Sequence, residues 1–184
     1  MDKLLLVNKD NRLSFNYVPS DLVIVPDEIK IEKLSLCALR EYLKFRTYSQ
    51  KNELNIFVDS GYRSYYNQLK IYIYYMLLLG IKNGSKRVAF PGTSEHQTGL
   101  AFDLGVIENG IARNMNNDEA KWLDENAYKY GFILRYPKNK ENVTGYDYEP
   151  WHFRYVGSDI SSYMYENNLT LEELHKNKTM YLSR

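Results

Sequence analysis

The chain has 184 residues, enough for one domain with a moderate core. Twenty-four Lys and Arg stand against twenty-three Asp and Glu, and the net charge of +1 makes no electrostatic case for nucleic acid or an anionic membrane. The single cysteine, Cys37, excludes an intramolecular disulfide and a Cys-rich zinc site, so any metal site must draw on His and Asp/Glu.

The opening "MDKLLLVNKDNRL" has four consecutive apolar residues, too few for a signal-peptide core or a membrane span. As written, the chain reads as cytoplasmic; a lost N-terminal anchor would instead place it outside the membrane. Residues 4–8 and 22–25 are short strand candidates, the second limited by Pro19 and Pro26. Residues 28–48 carry Ile31, Leu34, Leu36, Leu39 and Leu43 at helical spacing, which predicts a helix with Cys37 as a buried thiol. "LNIFVDSGYRS" reads as a strand, 54–58, running into a turn at Gly61. Ser64 then caps a helix over 65–79, which Gly80 ends. Its apolar run "IYIYYMLLLGI", 71–81, lies between Lys70 and Lys82 and suits a buried helix, not a transmembrane one.

Residues 87–90 and 99–106 are the next strand candidates. Alternation in the second puts Ala101, Asp103 and Gly105 on one face. Asn116 and Glu119 form a capping box for a helix reaching about Tyr130, with Gly131 at its C-terminal end. Strands follow at 132–136 and 151–156, joined by the polar segment 137–145. Thr170 and Glu173 cap a last short helix. The order predicts an α+β fold: a small, largely antiparallel sheet flanked by helices, in a single domain over 1–184.

Three histidines carry the metal question. His96 and Asp103 are separated by seven positions, so a straight strand would set them on opposite faces. They converge only if His96 precedes the strand and the chain bends at Thr98–Gly99, where glycine makes the bend cheap. His152 lies in "YEPWHFRYV", with Glu149 three residues earlier. Pro150 keeps Glu149 out of a helix and on the turn entering the strand. Two imidazoles and one carboxylate form a common catalytic zinc set, and a second carboxylate can take a proton from water. Spacing alone is equally met by a hydrogen-bonded loop histidine, a buried histidine and a surface glutamate. His175, near the end of the last helix, reads as a surface residue.

Arg63 sits in the glycine turn of "DSGYRS". There it can fork onto a carboxylate or face a developing oxyanion, or simply pair with Asp59. Gln68 could face the same cleft, and Ser94 could offer its hydroxyl to a substrate or cap the loop. Glu95 is expected to be structural or exposed. "NVT", 142–144, matches a glycosylation acceptor by accident, and "NKDNR", 8–12, lacks calcium-loop spacing.

Together "SGYRS" (60–64), "SEHQTGLAFDLG" (94–105) and "GFILRYP…EPWHFRYVG" (131–157) resemble the VanY-type D-alanyl-D-alanine carboxypeptidases. The group also includes VanXY-type dipeptidase/carboxypeptidases and peptidoglycan L,D-carboxypeptidases. The likeness runs over roughly 4–157. It implies that His96, Asp103 and His152 bind Zn²⁺ and that Glu149 is the general base. It also implies that Arg63 binds substrate or steadies the tetrahedral intermediate, that Ser94 and Gln68 line the pocket, and that Trp151 forms its wall. The implied reaction removes a C-terminal D-Ala from a peptidoglycan stem peptide or D-Ala-D-Ala-terminated precursor. Two alternatives stand beside it: D,D-dipeptidase or L,D-carboxypeptidase activity, and a non-catalytic zinc-containing peptidoglycan-binding module. The short connection from Asp103 to the helix near 117 looks closer to plain carboxypeptidases than to bifunctional members.

Overall fold

Among residues 2–27 and 29–177, which the computed structural model describes, β4 (Ala101–Glu108) is the strand on which the sheet is organised. In chain order the elements are β1 (Leu22–Ile24), β2 (Lys33–Ser35), α1 (Leu36–Lys51), β3 (Ile56–Ser60) and α2 (Tyr65–Arg87). A 3-10 turn over Glu95–Thr98 leads into β4, then β5 (Ile111–Arg113) and α3 (Asn117–Ala127). β6 (Phe132–Leu134), α4 (Glu141–Thr144), β7 (His152–Tyr155), α5 (Ser158–Glu166) and α6 (Leu171–Lys176) complete it.

The main sheet has the order β3-β4-β7-β6, with β5 paired to the far end of β4, and its pairs are antiparallel. The expected α+β class and antiparallel sheet are therefore present. Along β4, alternation sends Phe102, Leu104 and Val106 into the core with Leu34, Phe45, Leu123 and Phe132. Asp103 faces the other way. Its register partner is His152 on one side and Ser60 on the other, where an irregularity interrupts β3 between Val58 and Ser60.

Several local signals hold. Ser64 caps α2 through Asn67 N, and the Asn116–Glu119 and Thr170–Glu173 capping boxes are both closed. Gly131 takes the left-handed conformation at φ 87°.

Other expectations fail for identifiable reasons. Residues 4–8 form no strand, because the Leu4 and Leu5 carbonyls accept from the side chains of His175 and Arg154 instead of from a neighbouring strand. The helix assigned to 28–48 begins only at Leu36. Residues 33–35 pair with β1 as a hairpin, and Ile31 is exposed. Residues 87–90 are not a strand: Arg87 ends α2, and Val88 N closes its last turn on Gly84 O. Gly80 breaks α2 at φ 74° as expected, but a second helical arm continues to Arg87. The run 71–81 is not buried, and Leu77, Leu78 and Ile81 face outward. Cys37 is only partly buried against the core. β5, α4 and α5 were not anticipated.

Candidate active site

His96 sits in the 3-10 turn before β4. Gly99 ends that turn at φ 68°, the left-handed bend required for His96 to meet Asp103. A Cβ at Gly99 would lie 2.8 Å from Leu22 Cδ2 and 3.1 Å from Ser35 N, so the bend also admits a close backbone approach. His96 Nε2 then lies 3.4 Å from Asp103 Oδ2. Across the β4–β7 pair, His152 Nδ1 lies 3.0 Å from Asp103 Oδ1. The two imidazole rings stand edge to face with centroids 4.9 Å apart.

One ligand atom from each of His96, Asp103 and His152 falls within 4.8 Å of the others. The outer nitrogens are oriented to suit a cation among them. His96 Nδ1 is 2.8 Å from the Gly61 carbonyl; a carbonyl only accepts, so Nδ1 carries the proton and Nε2 keeps its lone pair toward Asp103. His152 turns Nδ1 inward, and its Nε2 points at Glu95 Oε2, 4.0 Å away. Burial lowers the His96 pKa and keeps the ring neutral. For Asp103 burial acts upward, but the neighbouring histidines outweigh it and hold the carboxylate ionised. Burial acts downward on His152 too, but its bond to Asp103 outweighs it and raises the pKa, so a divalent metal, which requires neutral imidazole and ionised carboxylate, would displace a proton there. The three residues fit a zinc ion.

Glu149 lies on the turn entering β7, with Oε2 3.7 Å from His152 Nδ1. Burial pushes its carboxyl up to about 7, with His152 opposing. Opposite it, Arg63 is held as a fork: Nη1 donates to Gln68 Oε1 at 2.9 Å and Nη2 to Ser60 Oγ at 2.6 Å. Gln68 is in turn fixed by donating to Ala89 O at 2.8 Å. Arg63 does not pair with Asp59, which binds Lys30 instead. These groups line one cleft of about 390 Å³, within the usual range for small-ligand sites. Ser94 and Trp151 line it too, Ser94 buried and Trp151 partly exposed. Every residue singled out from the sequence except His175 is thus in or around this cleft. His175 contributes outside it, with Nε2 2.6 Å from Leu4 O.

Glu95 is what sequence reasoning underrated. It is buried, and its Oε1 accepts from Arg135 Nε and Arg154 Nη1, both at 2.8 Å. Arg135 also forks onto Glu172 of α6 at 2.6 and 2.9 Å. Burial would raise the Glu95 pKa, but the two guanidinium groups outweigh it and keep the carboxylate charged. A signal did exist: Arg135 and Arg154 interrupt apolar strand sequences, and a buried arginine demands a buried acid.

The antiparallel sheet, the largely buried His–Asp–His cluster and the arginine-bearing cleft are the arrangement of a candidate metal-dependent hydrolase site. Residues 31–158 match the VanY family, D-alanyl-D-alanine carboxypeptidase, and the chain belongs to that family. It is 46% identical over 179 residues to YodJ of Bacillus subtilis (strain 168), named as a carboxypeptidase, covering 92% of this chain and 66% of that protein. It is 36% identical over 182 residues to VanXYC of Enterococcus gallinarum, a bifunctional D-Ala-D-Ala dipeptidase and carboxypeptidase. That match covers 95% of this chain and 94% of the relative. Among solved structures, the LdcB LD-carboxypeptidase superposes with a TM-score of 0.83 at 43% identity, covering 93% of this chain and 84% of that one. A vancomycin-resistance VanY D,D-pentapeptidase mutant in complex with Zn(II) gives 0.81 at 33%, with 94% and 98% covered.

Proposed function

We propose that this chain is a zinc-dependent D,D-carboxypeptidase that removes the C-terminal D-Ala from peptidoglycan stem peptides or their precursors. The observation that carries the reading is the convergence of His96, Asp103 and His152 with Glu149 beside them, in a cleft that also holds Arg63.

In this reading His96, Asp103 and His152 hold Zn²⁺, which when bound supplies a Lewis acid that acidifies water and polarises the scissile carbonyl. Glu149 Oε2 accepts the proton of the attacking water and passes it to the leaving D-Ala amine. Its raised pKa suits both halves of that transfer, since it gives up the proton as readily as it takes it. Arg63 presents the guanidinium fixed by Gln68 and Ser60 to substrate oxygen, as a carboxylate anchor or oxyanion donor. Ser94 and Trp151 shape the remaining wall.

A second reading, L,D-carboxypeptidase, is favoured by the 43% identity to LdcB, against 33% to the VanY structure. Product analysis on defined peptides separates the readings. Release of D-Ala from a pentapeptide stem supports D,D-carboxypeptidase activity, and release from a tetrapeptide supports the L,D activity. Cleavage of free D-Ala-D-Ala supports a dipeptidase. Bound zinc with no cleavage of any of them would make the chain a binding module and sink the proposal. Chelation should abolish hydrolysis and added Zn²⁺ restore it.

A further inference from the structure

α2 presents an outer face that the described residues leave uncovered. Ile73 is 49% exposed, Leu77 83%, Leu78 61% and, past the Gly80 kink, Ile81 75%. In the first arm, Tyr66, Lys70, Ile73 and Leu77 recur at helical spacing and share one stripe. The kink does not bury this stripe. The second arm packs back through Gly84, where a Cβ would run into Met76 Cε and come within 3.1 Å of the Tyr75 carbonyl. The opposite side of the first arm, Gln68, Ile71 and Tyr75, faces the cleft.

Charge decides what suits such a face. The chain as a whole is balanced, but residues 65–87 contain no Asp or Glu and carry Lys70, Lys82, Lys86 and Arg87. Lys70 and Lys82 are exposed, whereas Arg87 lines the cleft. A second copy of the chain is a poor occupant: a two-fold contact through α2 would bring these cations together with no carboxylate on the segment to pair them. An anionic bilayer surface meets both demands, taking aliphatic side chains to acyl depth while lipid phosphates meet Lys70 and Lys82.

We propose that the kinked α2 helix docks on an anionic phospholipid surface, with the catalytic cleft on the side of the helix away from the bilayer. The test is flotation of the full chain with phosphatidylcholine vesicles, with and without phosphatidylglycerol. Flotation only with the anionic vesicles, weakened by added salt, supports the proposal. Ile73→Glu combined with Leu77→Glu should lower it about tenfold or more. Both positions are solvent-facing, so hydrolysis of a soluble stem peptide should be unchanged in that variant. No flotation with either vesicle, or equal flotation with both, overturns the proposal. So does a dimer in sedimentation that the same double substitution dissociates, because the face then belongs to a second copy.

Discussion

Glu95 Oε2 and His152 Nε2 face each other at 4.0 Å in the buried wall behind the cleft. Neither atom has a hydrogen-bond partner among the described residues. The other carboxylate oxygen of Glu95 is pinned by Arg135 and Arg154, so the group cannot turn away. At 4.0 Å the two atoms are not hydrogen-bonded, and Nδ1 holds the proton it gives to the ionised Asp103 carboxylate at 3.0 Å; a metal on Nδ1 would leave the proton to Nε2, on the side that Glu95 faces. Carboxylates backing a metal-ligating histidine are typically worth 10- to 100-fold in metal affinity.

Glu95→Gln is accordingly expected to lower zinc affinity by roughly 10- to 100-fold, read by competition with a chromophoric chelator. Glu95→Ala should also lower stability by about 3–5 kcal/mol, because it strips an acid from two buried guanidinium groups. Thermal unfolding of the two variants separates the effects. A Glu95→Gln protein that binds zinc like wild type would show that the carboxylate does not position His152.

Glu149→Gln should retain zinc and lose about 10²- to 10⁴-fold in turnover, the usual worth of a general base. Its metal-free stability carries a second signature. The folded pKa of about 7 lies above the ordinary 4.5, so the folded state holds this proton more tightly. The resulting stability is fully present below about pH 4.5 and disappears as pH rises through 7. Chemical denaturation at pH 5 and 8 should show wild type losing more stability over that interval than the glutamine variant. Equal losses would place Glu149 outside the buried environment described.

The site was more legible than the scaffold around it. The "SEHQTGLAFD" spacing already required a bend at Gly99, and "EPWH" required Glu149 on a turn. These are local constraints that neighbouring residues enforce. The misreadings came where tertiary partners decide. Residues 4–8 look like a strand, but the Leu4 and Leu5 carbonyls are taken by the side chains of His175 and Arg154. Residues 28–35 look helical, but β1 offers a hairpin partner. The apolar run 71–81 looks like core, yet among the described residues no element packs over its outer side. Periodicity registers an apolar stripe and not what covers it. Glu95, expected to be structural or exposed, is structural, and its burial was not legible because its partners, Arg135 and Arg154, lie 40 and 59 residues away.

Arg63→Ala should reduce turnover about 10²- to 10³-fold, the typical effect of removing one oxyanion donor. Arg63→Lys keeps the charge but loses the fork that engages Gln68 and Ser60 together, and should recover only part of the activity. Steady-state kinetics distinguishes its two candidate roles. A loss confined to KM marks Arg63 as a carboxylate anchor, and a fall in kcat marks it as an oxyanion donor. Wild-type kcat/KM in the alanine variant would remove Arg63 from the site.

Asp124 offers a stability test away from the cleft. Burial in α3, with Glu125 adding repulsion, pushes its carboxyl from 3.8 up to about 6. The folded state therefore favours the protonated form, and ionisation at neutral pH works against folding. The associated stability is complete below about pH 4 and lost as pH rises through 6. Asp124→Asn has no charge to bury, so it should be more stable than wild type at pH 7 by roughly 1–3 kcal/mol. That advantage should shrink to a small fraction at pH 4, where the carboxyl of the folded wild type is itself largely neutral. Denaturant unfolding at the two pH values measures it. The same difference at both would mean that the amide changes packing or hydrogen bonding, and that the burial of charge is not what Asp124 costs the fold.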